Sequence, residues 1–230
     1  MPDAISTERL RKVYPAPSMR RMRGGRSRGS GPPPAVPMTP SRVTEGGVVA
    51  LDTLDLRVRD GEFFGLLGPN GAGKTTTIGI LTTRVTPTSG QALVAGYDVL
   101  RAPDRVRQCI GVVPQRPNPD RSLSTLENLV FHAAYFGIAM DRAERNALEL
   151  LERLGIADKA EARVDALSGG QQQRLMIARA LIHEPAVVFL DEPTVGLDPQ
   201  ARLDLWGILR DLRAHGRTIV MTTHYMEEAD

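Results

Sequence analysis

Leu54, Leu56 and Val58 alternate with Asp55, Arg57 and Arg59, the period of two that a strand shows when one face is buried and the other is wet. Asp60-Gly61 is the turn that ends it. Upstream, Ile5 to Tyr14 carries few breakers and is expected to form a strand. Downstream, Phe63 to Leu67 is apolar on every position except Gly65 and predicts a buried strand. Thr75 to Thr83 then reads as a helix that Pro87 to Gly90 terminates, and Gln91 to Ala95 as a further short strand. Ile110 to Val113 predicts a buried strand stopped by Pro114.

From Gln115 to Leu167 the period lengthens to that of a helix. Ser124-Thr125-Leu126-Glu127 is a capping box ahead of Leu126, Leu129, Val130, Ala133 and Ala134 at helical spacing. A second helix opens at Asp141, places Ala147, Leu148, Leu151 and Leu154 on one face and stops at Gly155. A third runs from Gly170 to about His183, followed by an apolar strand from Ala186 to Leu190 that ends on Asp191. A helix after Pro199 and a strand over Thr218 to Met221 complete the pattern. Buried strands alternating with helices indicate an α/β sheet, with a helical block inserted after Gln115.

Residues 15–47 break this pattern. Arg20, Arg21, Arg23, Arg26, Arg28 and Arg42 face a single acid, Glu45, among Pro32-Pro33-Pro34 and scattered Gly and Ser. Such a stretch buries too little apolar surface to offset its ordering entropy, so it is expected to be disordered. It reads as a solvated basic loop in preference to an arm for nucleic acid or anionic lipid, and no nucleic-acid partner is expected.

Between the strand at Phe63 and the helix at Thr75 lies Gly68-Pro69-Asn70-Gly71-Ala72-Gly73-Lys74-Thr75-Thr76. It fits the phosphate-loop pattern G-x-x-x-x-G-K-S/T. Glycines let the backbone turn tightly and aim N–H groups at a polyphosphate. Lys74 can place its charge against the β and γ phosphates, and Thr75 offers a hydroxyl to the Mg²⁺ that bridges them. The following helix presents the positive end of its dipole. A phosphate loop alone leaves kinases, GTPases and many motors open.

Two further stretches narrow the choice. Val187 to Glu192 is an apolar strand delivering two carboxylates at its C-terminal end, where open α/β sheets bind ligands. Asp191 suits a hold on magnesium. Glu192, aimed elsewhere by strand alternation, could polarise an attacking water. Leu167-Ser168-Gly169-Gly170-Gln171 begins a helix with free N–H groups, a hydroxyl and a dipole end. One nucleotide does not need two such cradles from one chain, so this second one is expected to grip the γ-phosphate held by another subunit.

Composition adds bounds and no function. The chain has 230 residues, 41% hydrophobic and 24% charged, with a net charge of +2, enough for one good-sized core. The one cysteine, Cys109, allows no internal disulfide and is expected to be a buried structural thiol. No apolar run approaches the ~18 residues of a membrane span.

Together these motifs resemble the nucleotide-binding subunits of ABC transporters, over nearly all of the chain except residues 15–47. The segment Thr222 to Asp230 looks most like the ATPase subunits of ABC-2-type drug exporters of the daunorubicin-resistance kind. The resemblance implies a P-loop NTPase (RecA-like) core sheet with an antiparallel β subdomain in one ABC ATPase domain. Residues 48–114 would form the β subdomain and the loop part of the core, 115–167 the helical subdomain, and 168–230 the remaining motifs. Gly68 to Thr76 would be the Walker A loop and Gln115 the glutamine that meets Mg²⁺ and senses a membrane partner. Ser168, Gly169, Gly170 and Gln171 would form the signature, Asp191 and Glu192 the Walker B pair, and Asp198 the D-loop aspartate. His224 would be the switch histidine near the γ-phosphate, and Tyr14 the aromatic that stacks on adenine.

The implied function is ATP hydrolysis, with ATP and Mg²⁺ as cofactors, by a subunit that pairs head to tail with itself or a homologue. It would drive export through a separate integral membrane permease at the cytoplasmic face of the cell membrane. A soluble ABC ATPase of DNA repair or translation is an alternative, as is a truncated nucleotide-binding module with little hydrolysis. The family's chains continue past the switch histidine, so residues 1–230 are expected to lack C-terminal strands, leaving sheet edge exposed.

Overall fold

The computed structural model describes residues 3–15, 43–44 and 47–225. Nine strands form two sheets among these residues. The first, in the order β2-β3-β1-β5-β6, is antiparallel at every pairing; the second, β4-β9-β8-β7, is parallel. The strands are β1 (Asp3–Tyr14), β2 (Val43–Thr44), β3 (Gly47–Arg59), β4 (Phe63–Leu67), β5 (Ser89–Val94), β6 (Tyr97–Asp98), β7 (Ile110–Val113), β8 (Val187–Asp191) and β9 (Thr218–Thr223). Six α-helices complete the fold: α1 (Lys74–Leu81), α2 (Pro103–Cys109), α3 (Thr125–Tyr135), α4 (Met140–Arg153), α5 (Gly169–Leu181) and α6 (Pro199–Ala214). This is the expected α/β class, with an antiparallel sheet beside the parallel core and α3 and α4 inserted after β7.

Strands β8 and β9 of the parallel sheet are buried on both faces, and their alternation sorts the core into two clusters. Val188, Leu190, Ile219 and Met221 face α5 and α6, with α3 and α4 packed behind. Val187, Phe189 and Val220 face the other way, onto Ile78, Ile80 and Leu81 of α1 and Ile5, Leu10 and Val58 of the antiparallel sheet. Continuous apolar runs such as Val187 to Leu190 are what a strand covered on both faces requires. Gly111 of β7 is fixed by this packing: a Cβ there would lie 2.2 Å from the Ala180 carbonyl oxygen of α5.

Three sequence expectations change. β4 is half-exposed and not buried, with Leu67 at 40%, because among the described residues only β9 pairs with it. An apolar run does not distinguish a central strand from an edge. Cys109 is half-buried at the end of α2 and is not a core thiol. Ordered backbone appears inside the tract expected to lack structure, since Val43–Thr44 pair antiparallel with Gly47 and Val48. The rest of that tract, 16–42 and 45–46, lies outside the described residues, as does 226–230. Residues 96–109, to which the sequence pattern assigns nothing, carry β6 and α2. Proline at the first position and Asp104 in the first turn suit a helix start, but seven residues are too few to show a period.

Candidate active site

The loop Gly68 to Gly73 joins β4 to α1 and holds its shape by bonding to itself. Ala72 N–H donates to the Pro69 carbonyl at 3.1 Å. Gly71 and Gly73 take φ of 85° and 89°, the left-handed region that favours glycine. Gly73 needs glycine twice over: it caps α1, and a Cβ there would come 2.6 Å from the Ala50 carbonyl oxygen of β3. The loop is thereby seated against the antiparallel sheet. No acidic residue occupies the first turn of α1, so the positive end of that helix meets no carboxylate of its own.

Lys74 is buried, and its ammonium donates to the carbonyls of Gly68 at 2.5 Å and Pro69 at 3.2 Å. It also lies 3.7 Å from Glu192 Oε1. Thr75 is exposed, whereas Thr76 is buried. Pro69, Asn70, Gly71 and Ala72 are exposed on the loop.

The carboxylate side of the site is built at the end of β8. Thr222 of β9 is the register partner of Asp191 and is fully buried. Its hydroxyl donates to Asp191 Oδ1 at 2.7 Å and accepts from the Glu192 N–H at 2.9 Å. Burial raises the Asp191 carboxyl above its usual range; the Thr222 hydrogen bond opposes this, the Glu192 carboxylate adds to it, and Lys74 and Arg84 oppose it. Such a group gains from a bound cation.

Glu192 lies one residue past the strand, at φ 48°. Its direction is therefore set by a left-handed turn and not by the pleat, which corrects the expectation from strand alternation. Its Oε2 accepts from Gln115 Nε2 at 2.9 Å and lies 3.6 Å from His224 Nδ1. Three side chains from three parts of the chain, Lys74, Gln115 and His224, thus meet on the Glu192 carboxylate.

Ser168, Gly169, Gly170 and Gln171, the expected signature, stand apart from this cluster. Ser168 Oγ accepts from the Gln171 N–H at 3.3 Å, and Gln171 Oε1 accepts from the Ser168 N–H at 2.9 Å, a full capping box at the start of α5. Ser168 and Gly169 are exposed and Gly170 is half-buried. Asp198 caps α6 by accepting from the Ala201 N–H at 2.9 Å. Tyr14 ends β1 opposite Val48, two residues from the Ala50 that backs the loop, and Lys12 Nζ sits 4.9 Å from its ring centroid.

Thr222 is the functional candidate that the sequence reading passes over. Its signal is a hydroxyl directly after the apolar run Ile219-Val220-Met221 and before Thr223-His224, but nothing in its spacing identifies the strand that it faces. A Mg²⁺ ion fits the residues present. No group of three or more His, Cys, Asp or Glu among the described residues could hold a metal by itself. Mg²⁺ characteristically takes one or two carboxylates together with phosphate oxygens, and Asp191 and Thr75 supply a donor set of that kind.

A glycine-rich loop at a helix start, facing carboxylates at the end of a parallel strand, defines a nucleoside-triphosphate-binding domain of the P-loop class. The chain belongs to the ABC transporter family, whose model matches residues 51–195, and it carries that family's ATP-binding domain. It is 46% identical over 185 residues to the Nod factor export ATP-binding protein I of Cupriavidus metallidurans, covering 80% of this chain and 61% of that protein. It is 44% identical over 186 residues to the doxorubicin resistance ATP-binding protein DrrA of Mycobacterium tuberculosis, covering 81% of this chain and 56% of that one. The chain therefore spans about three fifths of the length of these curated relatives. Among solved structures, an ATP-binding cassette described as a dimer in a post-hydrolysis state with ADP and Pi matches with TM-score 0.76 and 26% identity, covering 97% of this chain and 89% of that one. The cbiO1 protein of Clostridium perfringens, described as part of the ABC transporter complex cbiONQ, matches with TM-score 0.77 and 26% identity, covering 98% of this chain and 80% of that one.

Proposed function

We propose that this chain is an ATP-binding and ATP-hydrolysing subunit that powers export of a drug-like or hydrophobic compound through a separate membrane permease. The observation that carries the reading is the convergence of Lys74, Gln115 and His224 on the Glu192 carboxylate beside the phosphate loop. Glu192 orients and deprotonates the attacking water, and Gln115 and His224 hold that carboxylate and meet the γ-phosphate. Lys74 exchanges its loop carbonyls for the β and γ phosphates, which the Gly68 to Thr76 backbone cradles. Thr75, Gln115 and Asp191 hold Mg²⁺, which when bound neutralises charge on the phosphates. Tyr14 stacks on adenine.

The signature residues act on the nucleotide of a second copy or a homologous subunit. Their bonds close within their own helix start and leave the Ser168 hydroxyl proton for an outside acceptor. Asp198 caps α6 beside them and belongs to the same interface. The solved neighbour described as a dimer agrees with this pairing.

The permease would seat in a groove of about 400 Å³ that begins next to Gln115. Pro114, Asn118, Tyr135, Phe136 and Arg179 are among its lining, so an occupant would press on the loop that carries Gln115 to Glu192. No helix among the described residues is long and apolar enough to cross a membrane; the chain would work at the cytoplasmic face through its partner. The named roles of the export and resistance relatives support the direction and substrate class.

Phosphate release from ATP and Mg²⁺ tests the reading. The chain is expected to turn over at a rate of roughly 1 per second or more. Glu192→Gln should bind ATP normally and lose at least about a hundredfold in turnover, as expected for removal of a general base. Lys74→Ala should lose binding itself. Near-normal turnover by Glu192→Gln would reject that residue as the base, and no turnover by the unaltered chain would reject hydrolysis.

A further inference from the structure

We propose that Arg174 is a positioning residue that fixes the signature helix onto α6, so that the starts of the two helices meet the partner subunit as one rigid face. The inference rests on the reading that the signature acts on the other subunit's nucleotide.

The geometry begins with the first turns of α5 and α6. A Cβ on Gly170 would come 3.2 Å from Ala201 Cβ, so glycine here lets the two helices touch. One turn further along each helix, Arg174 Nη2 donates to Asp204 Oδ2 at 2.5 Å. Contact passes from 170 and 201 to 174 and 204, advancing the same way along both chains. The helices therefore run side by side with their starts at one end, and their capping residues Ser168 and Asp198 share that end.

The same guanidinium reaches a third helix. Arg174 Nη1 donates to the Leu154 carbonyl at 3.0 Å, at the C-terminus of α4. That carbonyl belongs to the group left without an intrahelical donor, and the arginine charge also suits the negative end of the helix. Gly155 leaves room for it, since a Cβ there would sit 3.1 Å from Nη1. On the far side, Asp204 Oδ1 accepts from Gln200 Nε2 at 2.9 Å, which holds the carboxylate in place. The arginine and aspartate side chains are only 26% and 34% exposed, so solvent screens the pair less than an open surface bridge.

These bonds join two parts of the molecule that carry different pieces of the site. The α4 end belongs to the helical block inserted after Gln115, and α5, which starts at the signature, packs on that block and on the parallel sheet alike. The α6 helix follows Glu192 and begins at Asp198, so it belongs to the core. Arg174 touches neither Lys74 nor Glu192; it acts through where it places Ser168. A lysine cannot replace it, because a single ammonium on a flexible stem lacks the planar fork that reaches two acceptors in different directions.

The test compares nucleotide binding, dimerisation and turnover in the full chain. Arg174→Met should bind ATP within about twofold of the unaltered chain, yet lose at least about tenfold in kcat with KM changed by less than about threefold. With Glu192→Gln added to retain ATP, its ATP-driven dimer should be at least about tenfold weaker. Arg174→Lys should behave like Arg174→Met, and Asp204→Asn should lose less. The Arg174→Met/Asp204→Asn pair should be no slower than Arg174→Met alone, because both changes break one link. Unchanged kcat and dimerisation in Arg174→Met, or additive losses in the pair, would overturn the proposal. Should Arg174→Met fold poorly, Arg174→Lys and Asp204→Asn decide by the same readings. Ser168→Arg separates the two levels of inference. If it blocks dimerisation while the Arg174 variants do not, the positioning role alone falls; if it leaves dimerisation intact, the two-subunit reading falls and this proposal with it.

Discussion

Burial biases the protonation of Asp191, which the Thr222 hydroxyl holds, and that bias can be measured. The Asp191 carboxyl is raised above its usual range, mainly by desolvation. A carboxyl raised on folding binds protons more readily in the native state, so its ionisation lowers stability as pH rises through the folded value. Asp191→Asn keeps an oxygen for the Thr222 hydroxyl and removes the charge. It should melt higher than the unaltered chain at neutral pH without nucleotide, and the gain should vanish below the unfolded carboxylate range near pH 3.8. The same variant should lose Mg²⁺-dependent turnover. Calorimetry across pH settles the first point; a lower melting temperature at pH 7 would show that the charge stabilises the fold. Much of this site was legible in the sequence, since Lys74, Asp191 and Glu192 stand in motifs of fixed spacing. The aim of Glu192 and the role of Thr222 were not. The first depends on a backbone torsion at a strand end, the second on which strands become neighbours.

Elements show the same division between local and long-range causes. The capping box at Ser124 forms as its sequence indicates, and Ser168 and Gln171 close a second where an open anion cradle is expected; every bond in both spans three residues. The exposure of β4 and the meeting of α3 with α5 depend on partners far along the chain. At that meeting Phe136 stacks on His183 with ring centroids 3.7 Å apart, and Arg179 Nε donates to His132 Nδ1 at 3.3 Å. Burial, then Arg179, then His183 push the His132 imidazole from 6.5 down to about 4. Burial also lowers His183, against a hydrogen bond from its Nε2 to the Ile110 carbonyl. Arg84 and Arg107 line the same groove, and Asp120 lies near Arg179. A histidine depressed on folding costs stability as pH falls from its unfolded value toward its folded one. The chain should therefore lose stability between pH 6.5 and about 4, and His132→Gln, which keeps an acceptor for Arg179 but does not titrate, should flatten that loss. Identical pH profiles for the two proteins would place the acid sensitivity elsewhere.

At the scale of the whole molecule, the seating of Gly73 against Ala50 of β3 ties the phosphate loop to both sheets, and the same strand carries Val48, where β1 and β2 both pair. Tyr14 and Val43 both have Val48 as register partner, one on each side of β3. Two strand spacings therefore separate them, roughly 10 Å. About ten residues cover that distance and the reversal with slack. Replacing 16–42 with a Gly/Ser segment of about that length should leave ATP affinity and turnover within about twofold, a difference under ~0.5 kcal/mol. A tenfold fall in affinity, with circular dichroism unchanged, would mean that the tract shapes the adenine side of the site. The sequence located this tract by composition but could not show that it leaves and rejoins the sheet so close together. That closeness makes the position a port for protein engineering. Compact domains commonly have neighbouring termini, so a fluorescent domain could be spliced in there without prising β1 from β3. An insert there would mark the subunit optically in a living cell while leaving the candidate nucleotide site undisturbed.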